Sequence, residues 1–438
     1  MSIRQLIAAL CLGPALPALA QVPPVPPVNP PPASTTTAAA APRSLTLGQT
    51  LAAARDNLDV AISRGALSAA RADVLTADHA PLPVLSGKTA SIDLQNGVGS
   101  GNTLSRKRID KAIGIDWTWE RGGKRQLRTQ AAQRDADAAA ADVEDVQMQQ
   151  QVAALGAYYD LLAAQEKLVE VSEIERSAAQ LANSSNRRVQ AGDLPAQDAL
   201  RTEIEAQRAQ ADVQQAALER DRATLALAQA TGLRGPLAIQ GPWPTLPALA
   251  TPAADYTALA EARPEVRAAL ARVQSAQAGL DGANALKKSD VTIGASYDHY
   301  PSVSNRLIEL RASIPLQWGY SYQGEIGRAQ ATYTQAQDAL EKVRRDAALE
   351  LQGLQQAALT AEQRARSYET DILPRARRVA ENAELAFRRG AIPLVDLLDA
   401  RRTLRATLLD GIAARGDYAR AAGAWTLQTQ PALLAAQP

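Results

Sequence analysis

The chain has 438 residues, a formal net charge of +1, and 4% aromatic residues with a single Phe and two Met. The balanced charge lacks the basic excess of a nucleic-acid binder, so no nucleic acid is expected as a partner. Ala, Leu, Gln, Arg, Glu and Asp dominate, which argues against a compact core of large apolar side chains and suits long helices packed on small residues.

Residues 1–20 read as a signal peptide: Arg4, an apolar stretch over 6–19, and the small-x-small site Ala18-Leu19-Ala20. Cys11 follows Leu10 rather than the small residue a lipid anchor needs, so lipidation is not expected. Cleavage would leave a chain without cysteine, as fits an exported protein that does not use disulfides. Residues 21–44 form a Pro/Ala-rich tether, because eight prolines between 21 and 43 rule out helix. No later segment offers ~18 continuous apolar residues, so no transmembrane helix is expected.

Residues 45–231 form a first unit. A helical segment over 46–78 is followed by strand-like alternation at 84–94 and at 109–120. Proline-free helix is expected over 123–189, about 100 Å long, and again over 196–231. A Gly/Pro-rich linker covers 232–254. Residues 255–428 then repeat the order: helix over 255–286, strands at 291–297 and 308–320, and helix over 324–389 and 394–427, with a kink candidate at Pro374. Residues 429–438 are a C-terminal tail. The spacing of near 200 residues far exceeds solenoid periods and reads as one duplicated unit.

The strands carry the functional information. Ile109, Ile113, Ile115, Trp117 and Trp119 alternate with small and polar residues, and Ile308, Leu310, Ala312, Ile314, Leu316, Trp318 and Tyr320 repeat the pattern. Each segment has about the ten residues that a tilted strand needs to cross a bilayer. Trp117, Trp119, Trp318 and Tyr320 fall on the apolar face at the end leading into a long helix, as an aromatic membrane girdle does. Four strands cannot close a transmembrane barrel, and lipid does not tolerate open edges. Strands must therefore be shared between chains, and three chains give the smallest barrel with an open lumen.

The turns between the long helices also come in pairs. Gly192, Pro195, Asp198 and Leu200 recur 198 positions later as Gly390, Pro393, Asp396 and Leu398. The glycines suit the positive φ that ends a helix, and the prolines suit the first turn of the next. Asp396 and Asp399 share one helix face. A helix dipole accounts for Asp198 and Asp396 as well as a functional role does; Asp399 lies further in and gains less from it. His79 and His299 are not at metal-ligand spacing from each other, and no phosphate loop or nucleophile elbow is present, so neither enzyme activity nor a metal or other cofactor is expected.

The segments VQAGDLPAQDAL, EARPEVRAALARVQSAQAGLDGA, IPLQWGYSYQGEIGRAQATYTQA and FRRGAIPLVDLLDA, set in the duplicated helix–strand–strand–helix order, resemble the TolC-like outer-membrane efflux proteins from about Leu45 to Gln428, and IPL…GEIGRAQA most resembles the heavy-metal efflux branch. The resemblance implies a mainly α fold with a membrane β-barrel: a coiled-coil helical tube, four strands per chain, and a 12-stranded barrel closed in a homotrimer. It implies an outer-membrane duct extending into the periplasm, served by a periplasmic adaptor and an inner-membrane pump of the resistance–nodulation–division class. It places Gly192, Leu194, Pro195, Asp198, Gly390, Ile392 and Pro393 at the adaptor-facing tips, where Leu194 and Ile392 either meet the adaptor or pack the turn. It places Asp396 and Asp399 in an acid ring at the pore constriction. Where the family's best-known member flanks the second glycine with tyrosine and arginine, this chain has Phe387 and Ile392, so other closing bonds are expected, with Arg388 and Arg389 as candidates to pair with Asp198 or an acid of a neighbouring chain. A protein-secretion exit shares the same fold, and a periplasmic coiled-coil scaffold is the alternative from a different class.

Overall fold

The computed structural model describes residues 43–430, apart from 94, 96, 98–107, 240–242 and 244–254. The expected signal peptide, the tether up to residue 42, most of the linker and the tail beyond 430 lie outside the described residues. In chain order the elements are β1 (Arg43–Leu45), α1 (Leu47–Ala54), α2 (Leu58–Ala77), β2 (Val84–Ala90), β3 (Asp110–Trp119), α3 (Lys124–Gln190), α4 (Ala196–Thr231) and β4 (Leu237–Ile239). Then follow α5 (Tyr256–Glu261), α6 (Pro264–Ala285), β5 (Val291–Tyr300), β6 (Ser304–Ser313), α7 (Gln323–Ser367), α8 (Leu373–Arg388) and α9 (Leu394–Thr429).

The long helices match their sequence signals to within two residues. The opening helices do not: each expected single helix is split. Asn57 adopts an extended backbone between α1 and α2, and its amide donates to the Ala230 carbonyl at 2.9 Å and to Gln150 Oε1 at 3.2 Å. Pro264 opens α6 and holds the preceding Arg263 extended at φ −70°, ψ 143°, which ends α5. The kink expected at Pro374 takes the form of a single π-helical turn, Tyr368–Ile372, joining α7 to α8. The extra residue leaves proline in the first turn of α8, where its missing N–H costs little.

The cores are narrow and built on small side chains. Ala138, Ala141, Ala154, Ala157, Ala178 and Ala182 are the buried alanines of α3, and alanine lets helix axes approach closely. One larger cluster, with Leu45, Leu51, Leu155, Tyr159, Leu227 and Ile239 at its heart, joins β1, α1, α3, α4 and β4. There β1 pairs in parallel with β4, so Arg43 and Ser44 of the expected tether and Leu237–Ile239 of the expected linker belong to a small sheet.

The other sheet has the order β2-β3-β5-β6, antiparallel throughout. The helices follow the same order, with α3 between α2 and α6, and α6 against α7. Four strands are present as expected, but β6 ends at Ser313 rather than continuing to Tyr320. Pro315 has no N–H for a ladder, and the neighbouring β5 begins only at Val291, opposite Trp119 on its other side. Among the described residues, no helix is long and apolar enough to cross a membrane.

Candidate functional site

Register sorts the sheet into two faces. Leu85, Ile115, Ala295 and Leu310 stand opposite one another across the four strands, as do Ile113, Tyr297 and Ile308 across three. This face is exposed within the chain, Leu310 at 80%. The other face is small and polar. Thr118 and Thr292 hydroxyls meet at 2.9 Å. Ser86 donates to Asp116 at 3.1 Å, and Asp116 pairs with Arg311 at 2.8 Å.

Trp117 and Trp119 lie on the exposed apolar face at the end of β3, Trp119 at 59% exposure. Trp318 and Tyr320 do not lie on a strand. They follow the end of β6 in a bend where Gly319 takes φ +78°, and Trp318 is 87% exposed. Of the four residues expected at a girdle, Trp117 and Trp119 are thus strand-borne, while Trp318 and Tyr320 lie in a loop, because Pro315 cannot continue the ladder.

The two turns share one construction. Gly192 has φ +84° and Gly390 φ +73°. Gly192 donates to the Val189 carbonyl and Asp193 to the Arg188 carbonyl, at 3.0 and 2.8 Å; Gly390 donates to Phe387 and Ala391 to Ala386, at 3.0 and 2.9 Å. Both are Schellman closures, which need the left-handed residue that glycine supplies. Pro195 and Pro393 stand at the N-cap rather than inside the first turn, with ψ 139° and 161°. Leu194 and Ile392 are half-buried, while Val395 is the exposed apolar residue beside the second turn.

Behind the second turn, Leu394, Leu397 and Leu398 pack with Leu181, Ala383 and Phe387. Asp396 and Asp399 point the other way: both are exposed, and neither makes an ion pair or side-chain hydrogen bond among the described residues. Asp198, by contrast, pairs with Arg201 at 3.4 Å, and Arg388 pairs with Glu384 at 3.5 Å. The expected link from Arg388 to Asp198 is therefore absent within the chain, because each group has a nearer partner on its own helical segment.

Other residues join the two hairpins. The Arg188 guanidinium lies over the Phe387 ring, 5.8 Å from its centre, tying α3 to α8. Arg402 of α9 reaches Glu205 of α4 at 2.7 Å, and Arg405 pairs with Asp212. Hydrogen bonding from Arg402 holds the Glu205 carboxyl below its ordinary value against the opposing effect of burial. These arginines border a cavity of about 210 Å³ whose apolar walls include Leu181, Leu398 and Leu408. Sequence gave no sign of these pairs, which join positions almost 200 residues apart.

His79 Nδ1 lies against the Ala80 carbonyl and His299 Nδ1 is 3.1 Å from the Asn305 carbonyl. Among the described residues, no group of His, Cys, Asp and Glu is placed to hold a metal.

The outer membrane efflux protein family model matches residues 50–233 and 256–425, so both halves of the chain are covered. The chain belongs to the outer membrane efflux protein family. Its similarity to the Cobalt-zinc-cadmium resistance protein CzcC of Cupriavidus metallidurans is 25% identity over 287 residues, 65% of this chain and 68% of that protein. Its fold is that of solved outer-membrane channels. It superposes on CusC with a TM-score of 0.76 at 16% identity, covering 87% of this chain and 91% of CusC. It superposes on the CmeC outer membrane channel of Campylobacter jejuni with a TM-score of 0.74 at 15% identity, covering 87% and 85%. The mainly helical fold expected from the TolC-like resemblance is thus the family's fold. The family match begins at residue 50 and leaves β1 and most of the 232–254 segment outside it.

Proposed function

We propose that the protein is the outer-membrane exit duct of a tripartite efflux system, conducting solutes passively from a periplasmic adaptor and an inner-membrane pump of the resistance–nodulation–division class. The observation that carries this reading is the sheet. It has an exposed apolar face ending in Trp117 and Trp119, a polar opposite face, and two edges, β2 and β6, without strand partners among the described residues. Open edges are not tolerated in lipid. Joining β6 of one copy to β2 of the next closes the ladder, and three copies give twelve strands around an open lumen. The duplicated helix–strand–strand–hairpin unit then contributes twice per chain, with α7 of one copy meeting α2 of the next.

In that homotrimer the tips formed by Gly192, Leu194, Pro195 and Asp198 and by Gly390, Ile392 and Pro393 face the adaptor, and the exposed Asp396 and Asp399 form a ring of six carboxylates. Such a ring attracts cations and retards anions. The similarity to a cobalt-zinc-cadmium resistance protein supports metal cations as cargo.

Reconstitution of the mature protein in planar bilayers tests the reading. A cation-preferring conductance, blocked by trivalent cations, is expected from a heat-sensitive trimer, and the block is expected to be lost in Asp396→Ala/Asp399→Ala. Block that survives the double substitution removes the acid ring. Release of the protein in soluble form by osmotic shock removes the duct.

A further inference from the structure

The passages between barrel strands and helices carry two sets of charges. Lys124 meets Asp290 at 2.8 Å and Arg128 meets Glu120 at 2.9 Å. These four groups line a recess of about 770 Å³ between α3, α6 and α7 and neutralise one another. Arg121, Lys287 and Lys288 lie in the same passages, outside that recess. All three are exposed, and none makes an ion pair among the described residues. The Lys288 stem crosses Gly122: its Cδ lies 2.9 Å from where a Cβ on Gly122 would stand. The absent side chain, at a position already needing φ +81°, thus keeps Lys288 beside the residue that follows Arg121.

Two further observations fix the surroundings. Arg121 follows Trp119 by two residues, and Val291, three residues past Lys288, pairs with Trp119 in the sheet. The cations therefore sit at the girdle, on its helix side. Moreover, β3 and β5 are the interior strands of the order β2-β3-β5-β6. Their passages lie away from both free edges, so a second copy joining at β2 or β6 leaves the cations accessible.

We propose that Arg121, Lys287 and Lys288 bind the phosphate of an anionic phospholipid headgroup at the periplasmic face of the outer membrane, directly below Trp119. The inference rests on the outer-membrane reading above. Tryptophan settles at the headgroup level, and lysine and arginine stems reach from apolar surface to the charged layer. Arginine grips phosphate through paired N–H groups, while lysine acts as a point charge. These three cations, gathered at one passage, make no ion pair among the described residues.

The test uses the full-length protein in nanodiscs of phosphatidylethanolamine with and without phosphatidylglycerol. Native mass spectrometry after delipidation counts retained phosphatidylglycerol, and heating reads dissociation of the assembly. Retention is expected in the wild type, together with a higher dissociation temperature. Arg121→Gln/Lys287→Gln/Lys288→Gln is expected to bind phosphatidylglycerol about a hundredfold more weakly. The charge-conserving Arg121→Lys/Lys287→Arg/Lys288→Arg is expected to keep it, which separates lost charge from lost folding. Equal retention by the wild type and the glutamine variant overturns the proposal. So does a matching rise in dissociation temperature when inorganic phosphate is added in detergent without lipid, which would assign the site to free phosphate. Conductance through phosphatidylethanolamine alone reads the duct function separately, since it does not depend on phosphatidylglycerol.

Discussion

Asp116 of β3 reaches across a whole strand to Arg311 of β6, 2.8 Å away, and the strand between them carries Gly294 at the crossing point. A Cβ on Gly294 would stand 2.1 Å from Asp116 Oδ1. The glycine is thus explained by the ion pair above it. Gly294→Ala is expected to cost about 1–3 kcal/mol by displacing the carboxylate. In an Asp116→Ala background the same substitution is expected to cost almost nothing. Heat-dissociation of the four proteins in detergent closes the double-mutant cycle, and additive costs would separate the glycine from the pair.

Asp145 gives the chain a pH dependence. Burial, reinforced by Glu265, Asp142 and Glu350 and opposed by Arg263, pushes its carboxyl up to about 6. Gln149 donates to it at 2.8 Å. The folded state then keeps a proton that the unfolded chain releases near pH 4. Between these values the folded state binds more protons, so stability falls as pH rises through this window and is level above it. With Asp145 half open to water, the change is expected to be about 1 kcal/mol. Unfolding midpoints of the wild type and Asp145→Asn at about pH 3.5 and about pH 7, on either side of that window, check it: the difference should shrink in the variant.

Local signals made most of the fold legible. Proline-free runs of strong helix formers gave α3 and α4 their bounds, and the Gly-x-x-Pro pattern located both turns. Asp396 and Asp399 were readable as a shared face, because helical spacing alone decides that. What failed depended on distant partners. The break at Asn57 is tied to carbonyls at the end of α4. The end of β6 depends on where β5 begins as well as on Pro315. The β1–β4 pairing joins three-residue strands almost 200 positions apart, too short for any periodicity. Arg388 and Arg389 of the second turn are candidates through the family resemblance, yet within the chain Arg188 and Arg402 make the links across hairpins.

Arg402 and Glu205 supply one such link, between α9 and α4. Glu205 is the more buried partner, its side chain 17% exposed against 51% for Arg402. Their coupling is expected to be about 1 kcal/mol in a cycle of Arg402→Ala and Glu205→Ala. Because Arg402 holds the Glu205 carboxyl low, this contribution is fully present above the unfolded value near pH 4. It is lost as pH falls through the folded value. Coupling that persists undiminished at pH 2, a condition set to protonate ordinary carboxylates, would exclude the ionic origin.

Gly390 isolates backbone strain from packing. Its φ is +73°, and nothing lies within 4 Å of where a Cβ would stand, so added volume meets open space. Any loss on substitution must come from the left-handed conformation that the Schellman closure demands. Gly390→Ala is expected to cost about 1 kcal/mol. Gly390→Asn should cost less, since its short polar side chain tolerates that region, and Gly390→Val more, since β-branching does not. Gly192, with φ +84° and equally open surroundings, should give the same ranking. Hydrogen exchange at the Ala391 and Asp193 amides reads each turn separately, because these N–H groups close them through the Ala386 and Arg188 carbonyls. Asparagine and valine variants exchanging at the same rate would mean that the turn has left the left-handed region. The tip would then be held by the Leu394, Leu397 and Leu398 packing alone.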